Sequence, residues 1–360
     1  IGPMPYALDM MAHYIFAILP MHSILKYGDN WVSPGKLACN GPYMMASWPP
    51  YEYIEVKKNP RYWDARNVKL ERIRYTMIEY PLTAYSNYKT GNIDWSMGVP
   101  LELIDEILSR PDYQGSPQIA TYYYIFNMER KPFDDVRVRK ALAMALDLGE
   151  LTGTKLKGGQ IQATTLVPPL SGYEPPAGNA FNPVEARLLL AEAGYPEGRG
   201  FPELALLYNT SEGHRIVAEW AVASWKRNLG ITIGTKNIEW SAFLRVRQDS
   251  HDFSLVRAGW VGDYIDPNTF LDMFLSDSGL NDGLYDNPDY DRLVRGAAQL
   301  SGAARMDALR QAEDMLITRD QHVIPLYYYA NQDLIDLTVW DGWYSNPLGI
   351  HPPKYLKRKK

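Results

Sequence analysis

The sequence predicts an α/β fold with more than one lobe, and three observations carry that reading. Strand-like and helix-like hydrophobic periods alternate across residues 203–263 with short connections. Helix-capping signals recur before apolar runs in the second half of the chain. The 360 residues, 46% hydrophobic and 22% charged, supply a full core. At roughly 100–200 residues per domain, that length suggests two domains.

Taken in order, residues 1–119 mix short strand-like pieces (51–57, 72–80) with helical ones (82–90, 101–110). Val138, Leu142, Ala145 and Leu146 then fall on one helical stripe behind a cap at Asp134 or Asp135. Asn182-Pro183-Val184-Glu185 reads as N-cap, first-turn proline and third-position acid, and Gly194 is the stop. Two Pro/Gly-rich stretches, 167–183 and 194–202, read as surface loops. In the alternating region, 203–208 is a strand and Ile216, Val217, Trp220, Ala221 and Ser224 mark a helix ended by Gly230. A strand over 231–238, a helix over 240–247 and a strand over 252–260 follow. That order implies a parallel sheet with right-handed crossovers.

Ligands of open α/β sheets sit beyond the carboxyl ends of the strands. Three segments therefore meet on one edge: 209–214, Glu239-Trp240, and 260–264. The edge carries Asn209, His214, Trp240, Trp260 and Asp263, with Arg247 and Arg257 within reach. This is a set suited to a zwitterion. An ammonium needs a carboxylate, a carboxylate needs guanidinium or imidazolium donors, and flat aromatic faces line neutral pockets between them. From spacing alone Asp263 reads more readily as a turn residue after a strand, and Arg257 is equally half of an ordinary surface ion pair. The 26 Tyr and 10 Trp suit a wet cleft and also suit a large core.

Other chemistries have little support. With 37 basic against 42 acidic residues the net charge is −5, which disfavours a nucleic-acid partner. One cysteine, Cys39, allows no intrachain disulfide. The six histidines form no HExxH or HxH pattern, so neither a metal nor a cofactor is expected. GxSxG, GxGxxG and GxxxxGK[ST] are all lacking. A glycosidase-like pair among 42 acids has no residues to point at. The longest apolar candidate, 12–21, is short and broken by Pro20, so no membrane span is expected. The chain opens Ile1-Gly2-Pro3 without a leader pattern and reads as the interior of a longer protein; its basic end, 354–360, reads as a solvated tail.

Several segments together resemble a known family. They are Asn40-Gly41-Pro42-Tyr43 with Trp48, Asn59-Pro60-Arg61-Tyr62-Trp63, Tyr88-Lys89-Thr90-Gly91-Asn92-Ile93-Asp94, and Thr121-Tyr122-Tyr123-Tyr124 with Asn127. Further along come 132–142, Leu207-Tyr208-Asn209-Thr210-Ser211, Glu239-Trp240, 257–264 and Pro325-Leu326-Tyr327-Tyr328-Tyr329. In this order the chain resembles family 5 extracytoplasmic solute-binding proteins of peptide and nickel ABC transporters, most closely the oligopeptide-binding ones. The resemblance runs over nearly all of the chain, and the N-terminal third of such proteins is expected to be missing.

The resemblance implies a periplasmic-binding-protein-like fold of type II, two lobes with mixed sheets flanked by helices and the extra N-terminal lobe absent. Residues 1–119 would be part of lobe I, its first residues the end of the missing lobe. Residues 120–330 would form the ligand-binding lobe III, and 331–360 would return to lobe I. By matching position, Asp263 would receive the peptide α-ammonium, and Arg257, Arg247, His214 and Lys157 would be the cations for the carboxylate. Asn209, Trp240, Trp260, Val261, Gly259, Tyr123 and Tyr329 would be pocket and backbone contacts. Some relatives have cysteines where Ala120 and Val261 stand and an acid where Ile125 stands.

The implied function is non-enzymatic: an importer component that captures short extended peptides between two closing lobes. The implied partners are an oligopeptide and a membrane permease. A monomer outside the cytoplasmic membrane, with or without a lipid anchor, is expected. Alternatives are binding of a dipeptide, nickel chelate, opine or oligosaccharide on the same fold, or a carbohydrate-active enzyme.

Overall fold

The computed structural model describes residues 3–359. Ile1, Gly2 and Lys360, the ends of the expected lobe segments and of the basic tail, lie outside the described residues. Two compact units form: one from the segment ending at His13 together with Pro117–Ala330, the other from Tyr14–Ser116 and the segment from Asn331. Residues up to His13 thus group with the larger unit, whereas the sequence reading placed them with 14–119.

In the smaller unit, β1 (Tyr43–Ser47), β2 (Tyr53–Lys58) and β3 (Arg72–Thr76) make an antiparallel sheet. The strand expected over 72–80 stops at Thr76, which pairs with Tyr53, the first residue of β2; one further main-chain bond, from Met77 N–H to the Glu52 carbonyl, closes the ladder. Pro81 then opens the helix Pro81–Lys89, where its missing N–H costs nothing. The helix expected over 101–110 is instead a 3₁₀ turn, Leu101–Leu103, followed by the short helix Ile104–Ile107. Tyr85, Val99, Ile104, Ile107 and Leu334 form the core of this unit, with β4 (Trp95–Met97) beside it in sequence.

The larger unit is built on most of β5 (Tyr113–Phe126), β6 (Ile161–Gln162), β7 (Leu204–Asn209), β8 (Ile233–Ile238), β9 (Leu255–Val261) and most of β10 (Val323–Ile335). The central order is β10-β5-β9-β7-β8. β7 pairs in parallel with both β8 and β9, as the alternation predicts, and β5 pairs antiparallel with β9, so the sheet is mixed. The crossover from β7 to β8 is the helix Glu212–Leu229, closed by Gly230 in the left-handed region at φ +75°. A Cβ there would lie 2.6 Å from the Glu197 carbonyl oxygen, so glycine is required twice over.

The crossover to β9 begins as the helix Trp240–Leu244 and widens to π-helical turns over Arg245–Ser250. Tyr123, Ile125, Leu207 and Val256 join the main apolar cluster with the helices Pro288–Ala297 and Gly302–Asp314. Trp225 is fully buried and donates to the Leu142 carbonyl at 2.9 Å, tying the crossover helix to Val136–Met144.

The far end of β10 pairs antiparallel with β4, and β11 (Trp340–Asp341) pairs with β12 (Lys357–Arg358). No helix among the described residues is long and apolar enough to cross a membrane.

Candidate functional site

β9 carries the site. Arg257 stands opposite Tyr124 in the β5–β9 ladder and is 9% exposed. Its Nη2 donates to the Tyr329 hydroxyl at 2.7 Å, its Nη1 donates to Asn209 Oδ1 at 3.3 Å, and its guanidinium lies 4.8 Å from the centre of the Tyr122 ring. Among the described residues no carboxylate is within ion-pair distance of it, and its Nε has no hydrogen-bond partner. A buried cation compensated only by phenols and an amide is a receiving position for an anion.

Gly259, two residues on, leaves room for this arrangement. A Cβ there would lie 2.9 Å from the Tyr329 hydroxyl and 3.0 Å from Arg257 Nη2. His214, at the start of the crossover helix, has its ring 5.5 Å from that of Tyr122. Burial, and then the charge of Arg257, pull its pKa down to about 3. At neutral pH it is therefore a neutral imidazole beside the cation, where the sequence reading expected a second cation.

Asp263 lies just beyond the carboxyl end of β9, with its side chain 43% exposed and its Oδ1 3.3 Å from His13 Nε2. Its main-chain N–H and the Trp260 indole both donate to Thr269 Oγ1, at 3.2 and 3.3 Å, which fixes the turn. Around it, Tyr264 stacks on Tyr6 at 4.7 Å, and Asp266 holds Arg305 through two hydrogen bonds of 2.7 and 2.8 Å. Asp272 is raised to about 6, by burial and then by the charge of Asp263.

Arg247 sits on the π-helical turns after β8, its Nε 2.7 Å from Asp282 Oδ2 and its guanidinium 5.7 Å from the Phe243 ring. Trp240, half exposed, stacks on the other side chain of that group, Phe243, at 5.8 Å. Tyr123 is buried opposite Ala258, edge-on to Phe274, and its phenol is raised by burial while feeling the charges of Arg247, Asp282 and Arg257. Val261, at the end of β9, is exposed. Lys157 ends the turn Leu151–Leu156 in the left-handed region, exposed, on a separate segment.

The structure thus joins Arg257, Asn209, Tyr329, Gly259 and His214 into one group, Asp263 and Trp260 into a second, and Arg247 and Trp240 into a third. Sequence reasoning missed His13, Asp282 and Thr269 as partners of these residues. Tyr122 and Tyr327, whose rings stack at 4.8 Å, were present only as members of tyrosine-rich segments.

Residues 2–282 match the family described as bacterial extracellular solute-binding proteins, family 5 middle. The chain belongs to this family. Family 5 members are non-enzymatic solute-binding proteins, and the relatives carry names of that kind. The chain is 32% identical over 353 residues to the periplasmic oligopeptide-binding protein OppA of Salmonella typhimurium, covering 95% of this chain and 64% of the relative. It is 32% identical over 347 residues to the probable deoxycholate-binding periplasmic protein YgiS of Escherichia coli, covering 93% and 63%. The solved murein tripeptide binding protein MppA of Escherichia coli superposes with a TM-score of 0.92 at 30% identity, covering 100% of this chain and 72% of that one.

The family 5 chain described here therefore has the expected periplasmic-binding-protein-like α/β fold and spans somewhat less than two thirds of the length of the curated relatives it matches. Within that fold the edge at the end of β9 offers an exposed acid and a buried, carboxylate-free arginine on one stretch of chain. That arrangement can bind a ligand with an ammonium and an anion.

Proposed function

We propose that this chain belongs to the substrate-binding component of an ABC importer and takes short peptides in extended form along the β9 edge. Asp263 receives the α-ammonium and Arg257 the α-carboxylate. Asn209 and Tyr329 hold the arginine, while Gly259 and Val261 offer main-chain hydrogen bonds as an added strand would. Trp240, Trp260 and Tyr123 bound the side-chain space, His214 stands beside Arg257 as a further donor to the same carboxylate, Lys157 lies on a separate exposed segment and takes no part, and a membrane permease receives the loaded protein outside the cytoplasmic membrane.

The observation that carries this reading is Arg257, buried without a carboxylate. Its placement on the strand that leads to Asp263 matches the two ends of a zwitterion. OppA and MppA, named for oligopeptides and a murein tripeptide, support peptides as the ligand class. YgiS, named for deoxycholate, marks the competing ligand: an anion with no ammonium, which would engage Arg257 and leave Asp263 idle.

Calorimetry of the full-length protein with tri- to pentapeptides, their N-acetylated forms and deoxycholate separates the two. Acetylation is expected to cost about 1–3 kcal/mol, the worth of a charged hydrogen bond at a half-exposed acid. Equal binding of free and acetylated peptides would remove Asp263 from its role, and tight deoxycholate binding without peptide binding would replace the ligand class.

A further inference from the structure

The two arginines assigned to the carboxylate are in opposite states. Arg257 has only neutral partners. Arg247 already has a carboxylate: Asp282 Oδ2 lies 2.7 Å from its Nε, and the pair is enclosed, with side-chain exposures of 13% and 2%. Asp282 is held from behind, since its main-chain oxygen accepts a hydrogen bond from His251 Nδ1 at 3.0 Å, and His251 in turn is tied to Asn127. Asp282 Oδ1 has no hydrogen-bond partner.

Arg247 lies over the Phe243 ring, Phe243 and Tyr123 share the main apolar cluster, and Tyr123 pairs with Ala258, next to Arg257, so both arginines and Asp282 belong to the same region of the larger unit. A ligand carboxylate arriving at Arg247 meets the negative charge of Asp282 already set against the guanidinium, and drawing that guanidinium away would leave a buried acid unpaired, a heavy cost. At Arg257 there is no acid to displace.

We propose that Asp282 is a specificity-determining residue that withdraws Arg247 from carboxylate recognition and confines the anionic end of the ligand to Arg257. This rests on the peptide-binding reading and adds to it a narrowed range of peptide length, since an extended chain anchored at Asp263 places its carboxylate at Arg257 for one length only.

The test is a panel of di- to pentapeptides, each as free acid and as C-terminal amide, titrated into the full-length protein. In the wild type, amidation weakens binding about tenfold or more at one length, and Arg257→Gln removes that sensitivity. In Asp282→Asn, which keeps the shape and an oxygen toward Arg247, a second length becomes sensitive to amidation. In Arg247→Gln/Asp282→Asn the wild-type profile returns. An unchanged profile in Asp282→Asn overturns the proposal. Should that variant not fold, the double variant decides: retained wild-type sensitivity supports the proposal, and lost sensitivity shows Arg247 already receiving the carboxylate and overturns it. A wild type that binds no peptide sinks the peptide reading and this inference with it, whereas peptide binding with an unchanged variant profile sinks this inference alone.

Discussion

Arg257 is held in place by Tyr329 and Asn209, and the Tyr329 contact depends on the absence of a side chain at Gly259. An alanine methyl there would crowd the Tyr329 hydroxyl at 2.9 Å and Arg257 Nη2 at 3.0 Å. The guanidinium can yield where backbone cannot, so Gly259→Ala is expected to fold, to lose about 1–2 kcal/mol of stability from overpacking, and to bind free-acid peptides about tenfold more weakly, the worth of roughly one charged hydrogen bond. Titration with acid and amide forms checks this, because the variant should narrow the gap between them; an unchanged gap would mean that Arg257 does not need its present position. The type of each residue at this edge could be read from the chain, since strand ends and their order follow from local periodicity. Their partners could not. His13 lies 250 positions from Asp263, and Asp282 follows Arg247 across a strand, a turn and two short helices. Nothing local tells whether a buried arginine is already neutralised, and that separates Arg247 from Arg257.

At the scale of elements, the most legible parts are those whose signals are local. Asn182 accepts from the Glu185 N–H at 3.1 Å at the head of the helix Pro183–Glu192, and Gly194 takes φ +99° just past its end. Asn182→Ala leaves that N–H without its partner and is expected to cost about 1 kcal/mol, read as a lower urea midpoint with an unchanged slope; Asn182→Asp should recover most of it, and equal loss in both variants would show that the cap is not the cause. β7 and β9 are readable for the same reason, because each is a short, mostly apolar run next to a helical segment; β8, Ile-Gly-Thr-Lys-Asn-Ile and largely exposed, is readable only from its place between two helical segments. β5 was not read as a strand. Its residues Ile119–Phe126 are buried without a break, so both faces are covered and the period of two that marks a half-exposed strand is lost. The helix expected over 240–247 is regular only to Leu244, since the wider π-helical turns that follow have no separate sequence signature.

For the molecule as a whole, pH dependence centres on Glu313, a fully buried acid on the helix Gly302–Asp314. Its Oε1 accepts from the Val167 N–H at 2.7 Å and its Oε2 accepts from the Tyr173 hydroxyl at 2.5 Å, so it fastens the long 163–181 loop to the core. Burial pushes its pKa up to about 7 from an ordinary 4.5, against the lowering effect of those hydrogen bonds. A raised carboxyl pKa means that the folded state keeps a proton that the unfolded chain releases. The resulting stability is complete below pH 4.5, declines as pH rises from there, and is gone above about 7. Asp272 and Asp282, both raised to about 6, act in the same direction. His214 and His322, pulled down to about 3, act in the opposite one, costing stability as pH falls below 6.5. The sum of these hides each contribution, but a variant difference isolates one. Glu313→Gln keeps an acceptor for Val167 and cannot ionise. Relative to it, the wild type should lose about 1–3 kcal/mol between pH 5 and pH 8, measured by urea unfolding at a series of pH values. A difference that stays constant over that range would mean that Glu313 ionises in the fold as it does in the unfolded chain, and that the loop is fastened by a charge and not by a shared proton.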